Sequence, residues 1–522
     1  MIRRISLVLI GFLLNVLPLV GSAQPVTLPP SPALRSENGL QDLQRDLSDI
    51  FNDPNFSNAT WGVCVQSLET GQYLFRLNDT KSLLPASNFK LLTAAEALTV
   101  LTPDFHFTTQ LLSAGRISEY TLKGDLVIRG AGDPTLGAFS MLRDTSPMRV
   151  FEAWADSLER LGIRKIEGSI IGDDSYFTDD LYPAGWALED EPYYYAMQTS
   201  ALSFAENQVS VSVTPGTSVG SKARFELIPS TSYLTVVNHA TTKADSIRKR
   251  LTGGGDTLIA AGTNTIEITR ALGSPTIIIK GEIPLSGAEA HEQLSVVNPA
   301  RYAATIFREV LEARGIQIIG PTMTISELKK PFPYLKARVL AQYISPPLPD
   351  IISVMNKQSD NMFAEQLFRT VAKEQEGEGS WTKGIEAMKK YLASIGIAPD
   401  RVAIYDGSGL SRMDLISPVQ LVTVLRAMYD RPTLFKLFYP SLSIVGVDGT
   451  LARRLKDTRA QGNVHAKTGF VTGVRSISGY LTTHENELLA FSIIGNNFTT
   501  PVSLANNLQD LVLLRLVNFS RK

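Results

Sequence analysis

Three short polar motifs stand far apart in this chain of 522 residues: Ser87-Asn88-Phe89-Lys90, Ser359-Asp360-Asn361 and Lys467-Thr468-Gly469. Each falls on a different kind of element. A fold that unites them must bring a helix start, a loop between helices and a strand to one point. Leu84-Pro85-Ala86 closes an extended stretch, and Leu91, Leu92, Ala95 and Leu98 then recur at helical spacing. That spacing predicts a helix from Ser87 to about Val100, with Ser87 and Lys90 on one face of its first turn. Amphipathic stretches at Asp350–Asn356 and Met362–Ala372 flank the second motif, and Val464–Lys467 reads as a strand. Isolated copies mean little: S-x-x-K recurs at Ser246–Lys249 and Ser326–Lys329, and S-x-N at Ser36–Asn38. Only Ser87 precedes an S-D-N that in turn precedes a K-T-G.

The rest of the chain sets the domain plan. Leu40–Phe51 has helical apolar spacing, and Trp61–Ser67 and Tyr73–Leu77 read as strands turned at Glu69-Thr70-Gly71. Near the other end, Ser476–Leu481 and Glu487–Ile494 read as strands, and Val502–Phe519 as a packing helix. Strands at both ends with helices between them predict a mixed α+β fold: one antiparallel sheet closed by the two termini and flanked by helices. Strands at Arg116–Arg129 and Gly168–Ile171 surround a helix at Met148–Leu161, and about Asn207 to Ile283 is rich in Val, Thr, Ile and Gly. This block is more chain than a compact sheet-and-helix domain needs. It predicts a large, mostly β inserted region of one or two domains at 105–295, with 24–104 and 296–522 forming the main domain. Within the insertion, 105–206 with 287–295 and 207–286 are the expected parts, and the amphipathic helix Arg301–Arg314 falls on the main-domain side.

The formal net charge is −1 with no long basic run, which argues against nucleic acid as a partner. Arg3 and Arg4, the apolar run Ile5–Val20 and the small residues Gly21-Ser22-Ala23 read as an export signal over 1–23, with a mature start at Gln24. The expectation is an exported, periplasmic protein. The run is short for a membrane span, and no later stretch is long and apolar enough for one. The single cysteine, Cys64, leaves no internal disulfide, and its alternating run Trp61–Val65 predicts a buried small hydrophobe. The five histidines form neither a Ser-His-Asp pattern nor a metal cluster, so no metal or other cofactor is expected. His465, two residues before Lys467, is expected on the strand surface.

A serine hydroxyl becomes a nucleophile when a base takes its proton. Lys90 can reach the Ser87 oxygen, and acts as a base only with a lowered pKa, which burial and a second cation, Lys467, would favour. The partial positive charge of the helix N-terminus favours an anionic oxygen at Ser87. Ser359, both donor and acceptor, can relay a proton to a leaving amine, and Asn361 can hold Lys90 and a substrate amide. Asp360 alternates away from them and reads as structural. Gly469 lets a ligand backbone approach the strand, and Lys467 and Thr468 can bind a terminal carboxylate. The backbone N–H groups of Ser87 and Phe470 can form an oxyanion hole. Taken singly, each motif has a plainer reading, as a solvated lysine or a helix cap.

In order and spacing the motifs resemble the signature of penicillin-binding proteins and serine β-lactamases. Three further segments narrow the resemblance: Gly130-Ala-Gly-Asp-Pro-Thr-Leu136, Asp406-Gly-Ser-Gly-Leu-Ser-Arg412 and Gly446-Val-Asp-Gly-Thr-Leu451. With the long insertion, nearly the whole mature chain is similar to the class C low-molecular-mass penicillin-binding proteins, the D-alanyl-D-alanine carboxypeptidase/endopeptidase family S13. The resemblance implies a transpeptidase-like domain carrying two further domains. It also implies a serine DD-peptidase that acts on peptidoglycan stem peptides and is acylated by β-lactams. On this basis Ser87 is the nucleophile, Lys90 the base and Ser359 the relay, while Asn361, Lys467 and Thr468 bind substrate. Arg412 matches a position that binds the far end of the stem peptide's diamino-acid side chain, and Asp180 is a less well aligned candidate for the same subsite. Phe470 departs from the small polar residue common after K-T-G, and Met413-Asp414 from the asparagine common after the arginine. A β-lactamase would need a deacylating base in an E-x-x-L-N segment, which the sequence lacks. A non-catalytic wall-binding or penicillin-sensing module would be free to lose Ser87, Lys90, Ser359 or Lys467, and all four are present. The balance of carboxypeptidase and endopeptidase action, and homo-oligomer formation, stay open at this level.

Overall fold

The computed structural model describes residues 39–141, 146–178, 180–249, 257–260 and 262–522. The expected export signal at 1–23 and the mature start at Gln24 lie outside the described residues. Two cores form because apolar side chains alternate along strands that are covered on both faces. In the strand Thr60–Ser67, Val63 and Val65 enter one core and Cys64 the other; Ile493 and Ile494 divide in the same way on Leu488–Asn496. Leu43, Leu47 and Phe51 of the helix Gly39–Phe51, with Val512, Leu513 and Leu516 of Val502–Val517, close the first core. The helices Lys90–Val100, Asn361–Glu376 and Pro418–Tyr429 close the second through Leu91, Leu92, Phe363, Leu367 and Leu421.

The sheet between these layers runs in the order Tyr73–Leu77, Thr60–Ser67, Leu488–Asn496, Val474–Thr482, His465–Val471, Ser443–Ile444, with every neighbour antiparallel. It is the predicted sheet closed by the two ends of the chain. Gly495 lies opposite Trp61, and a Cβ there would stand 2.5 Å from the indole ring, so glycine makes room for this pairing.

The chain leaves the main domain near Phe107 and returns to it near Ser345. Ser345 N donates to the Phe107 carbonyl at 3.0 Å, and Phe107 N donates to Ser345 Oγ at 2.9 Å. This corrects the boundary expected at residues 295 and 296. The helix Pro299–Ala313 packs with Arg149–Arg160 through Phe307, Phe151 and Trp154, and Thr322–Thr324 and Arg338–Ile344 are outer strands of the insertion's own sheet. That sheet runs Thr322–Thr324, Ile170–Asp173, Leu126–Arg129, Thr108–Ser113, Arg338–Ile344. Helical periodicity located Pro299–Ala313, but periodicity does not say which sheet a helix covers. The predicted strand run Arg116–Arg129 is three short strands, interrupted by positive φ at Glu119, Tyr120 and Gly124. The β-rich part is nested: Gln208–Thr214 pairs with both Arg224–Ile228 and Ala290–Ser295, so the strand ending at residue 295 belongs to it. Buried Val209, Ile277, Phe204 and Phe307 join both parts in one core.

Candidate active site

The first motif forms a turn that leads into a helix. Ala86–Phe89 is a 3₁₀ turn, continued by the α-helix Lys90–Val100. Ala86 has φ +47°, a left-handed conformation costing about 1–3 kcal/mol for a residue with a side chain, which the surroundings must hold. Ser476 Oγ donates to the Pro85 carbonyl at 2.5 Å. Asn88, with its amide oriented to satisfy both ends, donates to the Lys467 carbonyl at 2.8 Å and accepts from Ser478 Oγ at 2.7 Å. Gly469 completes the fit: a Cβ there would lie 2.7 Å from the Pro85 carbonyl oxygen and 3.0 Å from Ser87 N. The missing side chain therefore admits the protein's own serine turn, where the sequence reading had reserved the space for a ligand.

The second motif joins two helices. Ser359 follows Leu348–Gln358 at φ +63°, and Asp360 caps Asn361–Glu376 by accepting from Phe363 N at 3.0 Å. This is the structural part expected of Asp360, and it leaves Ser359 and Asn361 free to face the lysines. Lys90 Nζ lies 3.0 Å from Ser87 Oγ, 2.5 Å from Asn361 Oδ1 and 2.8 Å from the Ser408 carbonyl. Lys467 Nζ donates to Ser359 Oγ at 2.7 Å and to the Thr468 carbonyl at 2.8 Å. The structure thus gathers Ser87, Lys90, Ser359, Asn361 and Lys467 into one cluster.

Both lysines are fully buried. Burial lowers the Lys90 pKa to about 8, against the opposing pull of Asp406, Glu365 and Asp360. Lys467 is held well below the usual lysine range, first by burial, then by the Lys90 charge and by Arg475. The repulsion expected between the two cations falls on Lys467, and burial is what loosens the Lys90 proton. Arg475 is itself lowered to about 10 by burial and by Arg454.

The remaining expected residues sit around this cluster. Thr468 Oγ1 pairs with Thr450 Oγ1 at 2.7 Å. Phe470 is 46% exposed, with the Arg475 guanidinium 4.9 Å from its ring centre. The exposed Arg412 donates to the Thr472 carbonyl at 3.3 Å, just beyond the K-T-G strand. Asp180 is bonded outside the cluster: its carboxylate accepts from Thr178 Oγ1 at 3.1 Å and its carbonyl from Arg369. His465 is half-buried and stacks on Tyr439 at 4.0 Å, so it is a packed residue more than a surface one. Among the described residues no group of His, Cys, Asp and Glu is placed to hold a metal.

Sequence reasoning missed several supports. Asn88 occupies a variable position of S-x-x-K, and Ser476 and Ser478 are polar residues at buried strand positions. Tyr195, whose carbonyl accepts from Asn361 Nδ2 at 2.7 Å, reaches the site from the insertion. Asp406, Ser408 and Thr450 stood inside quoted motifs with no part assigned to them. The Ser408 and Tyr195 contacts are made by backbone carbonyls, which can belong to any residue type, and Tyr195 also lies outside every quoted motif.

The chain is similar to known proteins along most of its length. Residues 43–515 match the model of the D-Ala-D-Ala carboxypeptidase 3 (S13) family. The chain is 34% identical over 503 residues to a D-alanyl-D-alanine carboxypeptidase of an Actinomadura species, covering 94% of this chain and 87% of that protein. It is 28% identical over 477 residues to the D-alanyl-D-alanine carboxypeptidase DacB of Haemophilus influenzae, covering 87% of this chain and 91% of that one. The crystal structure of penicillin binding protein 4 from Haemophilus influenzae superposes with a TM-score of 0.74 at 25% identity, covering 90% of this chain and 99% of that chain. The chain belongs to the D-Ala-D-Ala carboxypeptidase 3 (S13) family.

Proposed function

We propose that this chain is a serine-type D-alanyl-D-alanine carboxypeptidase/endopeptidase that acts on peptidoglycan stem peptides through an acyl-enzyme on Ser87. The observation that carries this is the set of partners around Lys90 Nζ. A neutral amine has two hydrogens and one lone pair. Asn361 Oδ1 and the Ser408 carbonyl accept the two hydrogens, which turns the lone pair to the Ser87 hydroxyl. Ser87 Oγ attacks the carbonyl of the scissile amide as its proton passes to Lys90 Nζ. The backbone N–H groups of Ser87 and Phe470 take up the charge on the carbonyl oxygen. Ser359 Oγ, fed by Lys467 Nζ, gives a proton to the leaving amine, the C–N bond breaks, and the acyl-enzyme is left. The proton held on Lys90 then passes back to Lys467, which makes good the one given to the amine and restores the neutral Lys90. Water attacks the ester as Lys90 takes its proton, and Lys90 returns that proton to Ser87 Oγ as the ester C–O bond breaks.

Lys467 and Thr468 bind the terminal carboxylate, Asn361 the substrate amide, and Arg412 the diamino-acid end of the stem peptide. Asp180 is a weaker member of that subsite, since its carboxylate already accepts from Thr178. The names of the family and of the carboxypeptidase relatives support this substrate class, and a solved relative from Haemophilus influenzae is described as complexed with a β-lactam. Export to the periplasm belongs to the same proposal: it rests on the apolar run at 5–20 and on where peptidoglycan lies. No helix among the described residues is long and apolar enough to cross a membrane.

Intact-mass analysis with a penicillin, run beside digestion of cross-linked and uncross-linked muropeptides, tests the proposal. The expected result is a penicilloyl adduct on Ser87, absent in Ser87→Ala, with release of D-Ala or cut cross-links. An adduct without peptide cleavage would favour a penicillin-sensing module, and rapid β-lactam turnover a β-lactamase. Labelling of Ser87→Ala at the parent's rate would remove the nucleophile assignment.

A further inference from the structure

The three motifs supply only one of the two acceptors that a neutral Lys90 amine needs. The second, the Ser408 carbonyl, comes from the Asp406–Arg412 loop and is held there from two sides. Above, Gly409 has φ +76°, and a Cβ on it would stand 2.0 Å from the Ala86 carbonyl oxygen, so the loop rests directly on the serine turn. Below, the fully buried Asp406 carboxylate gathers the loop's own amides. Oδ1 accepts from Ser408 N at 3.1 Å and Gly409 N at 2.6 Å; Oδ2 accepts from Ser411 N at 2.6 Å and Trp186 Nε1 at 2.8 Å. The Ser408 hydroxyl adds a longer contact to Oδ2 at 3.3 Å. N–H donors thus face both oxygens of this carboxylate.

Two more buried carboxyls pack around it. Asp414 accepts from Tyr405 N at 2.7 Å, and burial, then the adjoining Asp406 charge, hold its pKa well above the usual carboxylate range. Glu365 accepts from Gly407 N at 3.1 Å and from Trp381 Nε1 at 2.8 Å, and burial, then Asp406, raise it to about 7. On Lys90 itself bear Asp406, Glu365 and Asp360, with Lys467 as the facing cation.

We propose that Asp406 is a positioning residue for the base: its carboxylate locks the loop that carries the second acceptor of Lys90, and its fixed charge lies beneath the ammonium that forms when Ser87 gives up its proton. The proposal rests on the reading of Ser87 and Lys90 as nucleophile and base. Asp406 touches neither substrate nor the reacting atoms; it acts through Ser408. Its charge opposes deprotonation of Lys90, so removing it lets the base form persist to lower pH. The same removal frees the loop and misplaces the carbonyl.

The test is the rate of penicillin acylation, followed by intact mass across pH, for the full chain and for Asp406→Asn, with thermal unfolding run in parallel. Asparagine keeps the shape but sets an NH₂ against donors that Oδ2 accepts from. The maximal rate should fall on the order of 100-fold, the size of effect that a misplacement near 1 Å produces. The acid limb of the profile should move about one unit to lower pH. Asp414→Asn, which keeps the side-chain shape and the acceptor for Tyr405, should leave rate and limb where they are. A folded Asp406→Asn with the parent's rate and limb overturns the proposal. So does a slower rate with an unmoved limb, which would make Asp406 scaffolding alone, or a limb shifted equally by Asp414→Asn. Should Asp406→Asn fail to fold, Gly409→Ala keeps the charge and wedges the loop off the Ala86 carbonyl; acylation at the parent's rate then overturns the proposal. Failure of the parent itself to form an adduct would instead remove the reading of the site on which this rests.

Discussion

Gly469→Ala is a one-carbon change whose effect follows from three distances. The new Cβ would lie 2.2 Å from Ser476 Oγ, 2.7 Å from the Pro85 carbonyl oxygen and 3.0 Å from Ser87 N. Ser476 can escape only by rotating its hydroxyl, which breaks its 2.5 Å hydrogen bond to Pro85. If the hydroxyl stays, the serine turn must move instead. Either response displaces the turn that carries Ser87 relative to the strand that carries Lys467. Overpacking of this kind costs about 1–3 kcal/mol of stability. The larger effect should be catalytic: a shift near 1 Å at the nucleophile predicts acylation slower on the order of 100-fold. That is about 2.7 kcal/mol of barrier. The assay is the time course of the penicilloyl adduct by intact mass, with thermal unfolding as the control for folding. Ser476→Gly in the same chain removes the shortest contact, so the double variant should recover part of the lost rate, a coupling that two independent sites would not show. Acylation of folded Gly469→Ala within about twofold of the parent would refute the reasoning, because coupling of neighbouring groups would then be absent.

Other outcomes follow from the same geometry. Because burial brings Lys90 down to about 8 and its neutral form is the base, acylation should fall roughly tenfold per pH unit below that value and level off above it; a rate independent of pH there would exclude Lys90 as the base. Arg270, buried in the insertion, pairs with Glu191 at 2.8 Å and donates to the carbonyls of Ser295, Ala271 and Ser274. Arg270→Ala should therefore cost about 3–5 kcal/mol, read as a lowered Tm with hydrogen exchange rising in 208–295; an unchanged Tm would contradict it. Lys467→Ala should slow acylation and weaken binding of substrates with a free terminal carboxylate, and an unchanged rate on peptide would contradict its part.

Much of the fold was legible because local pattern and tertiary demand agree. Alternating Trp61–Ser67 and the apolar Glu487–Ile494 feed two cores from opposite faces, so their strand character was visible before their pairing was. The insertion was legible as a change of texture, but its end was misplaced. Pro299–Ala313 looks like any amphipathic helix, and its packing against Phe151 and Trp154 is decided by partners far off in the chain.

The motif residues themselves were set by the sequence, since S-x-x-K, S-D-N and K-T-G name side chains whose chemistry is intrinsic. The helical spacing of Ser87 and Lys90 also put them on one face before any fold was known. Tertiary structure alone decided what surrounds them. It gave Lys90 its second acceptor from Ser408, tied Asn361 to Tyr195 of the insertion, and set Gly469 against the serine turn. Those contacts pair backbone atoms or an absent side chain with groups distant in the chain, and neither a carbonyl nor an empty space leaves a mark in residue identity. The lowered Lys90 pKa has the same origin: burial is a property of the packed chain, and no lysine carries it alone.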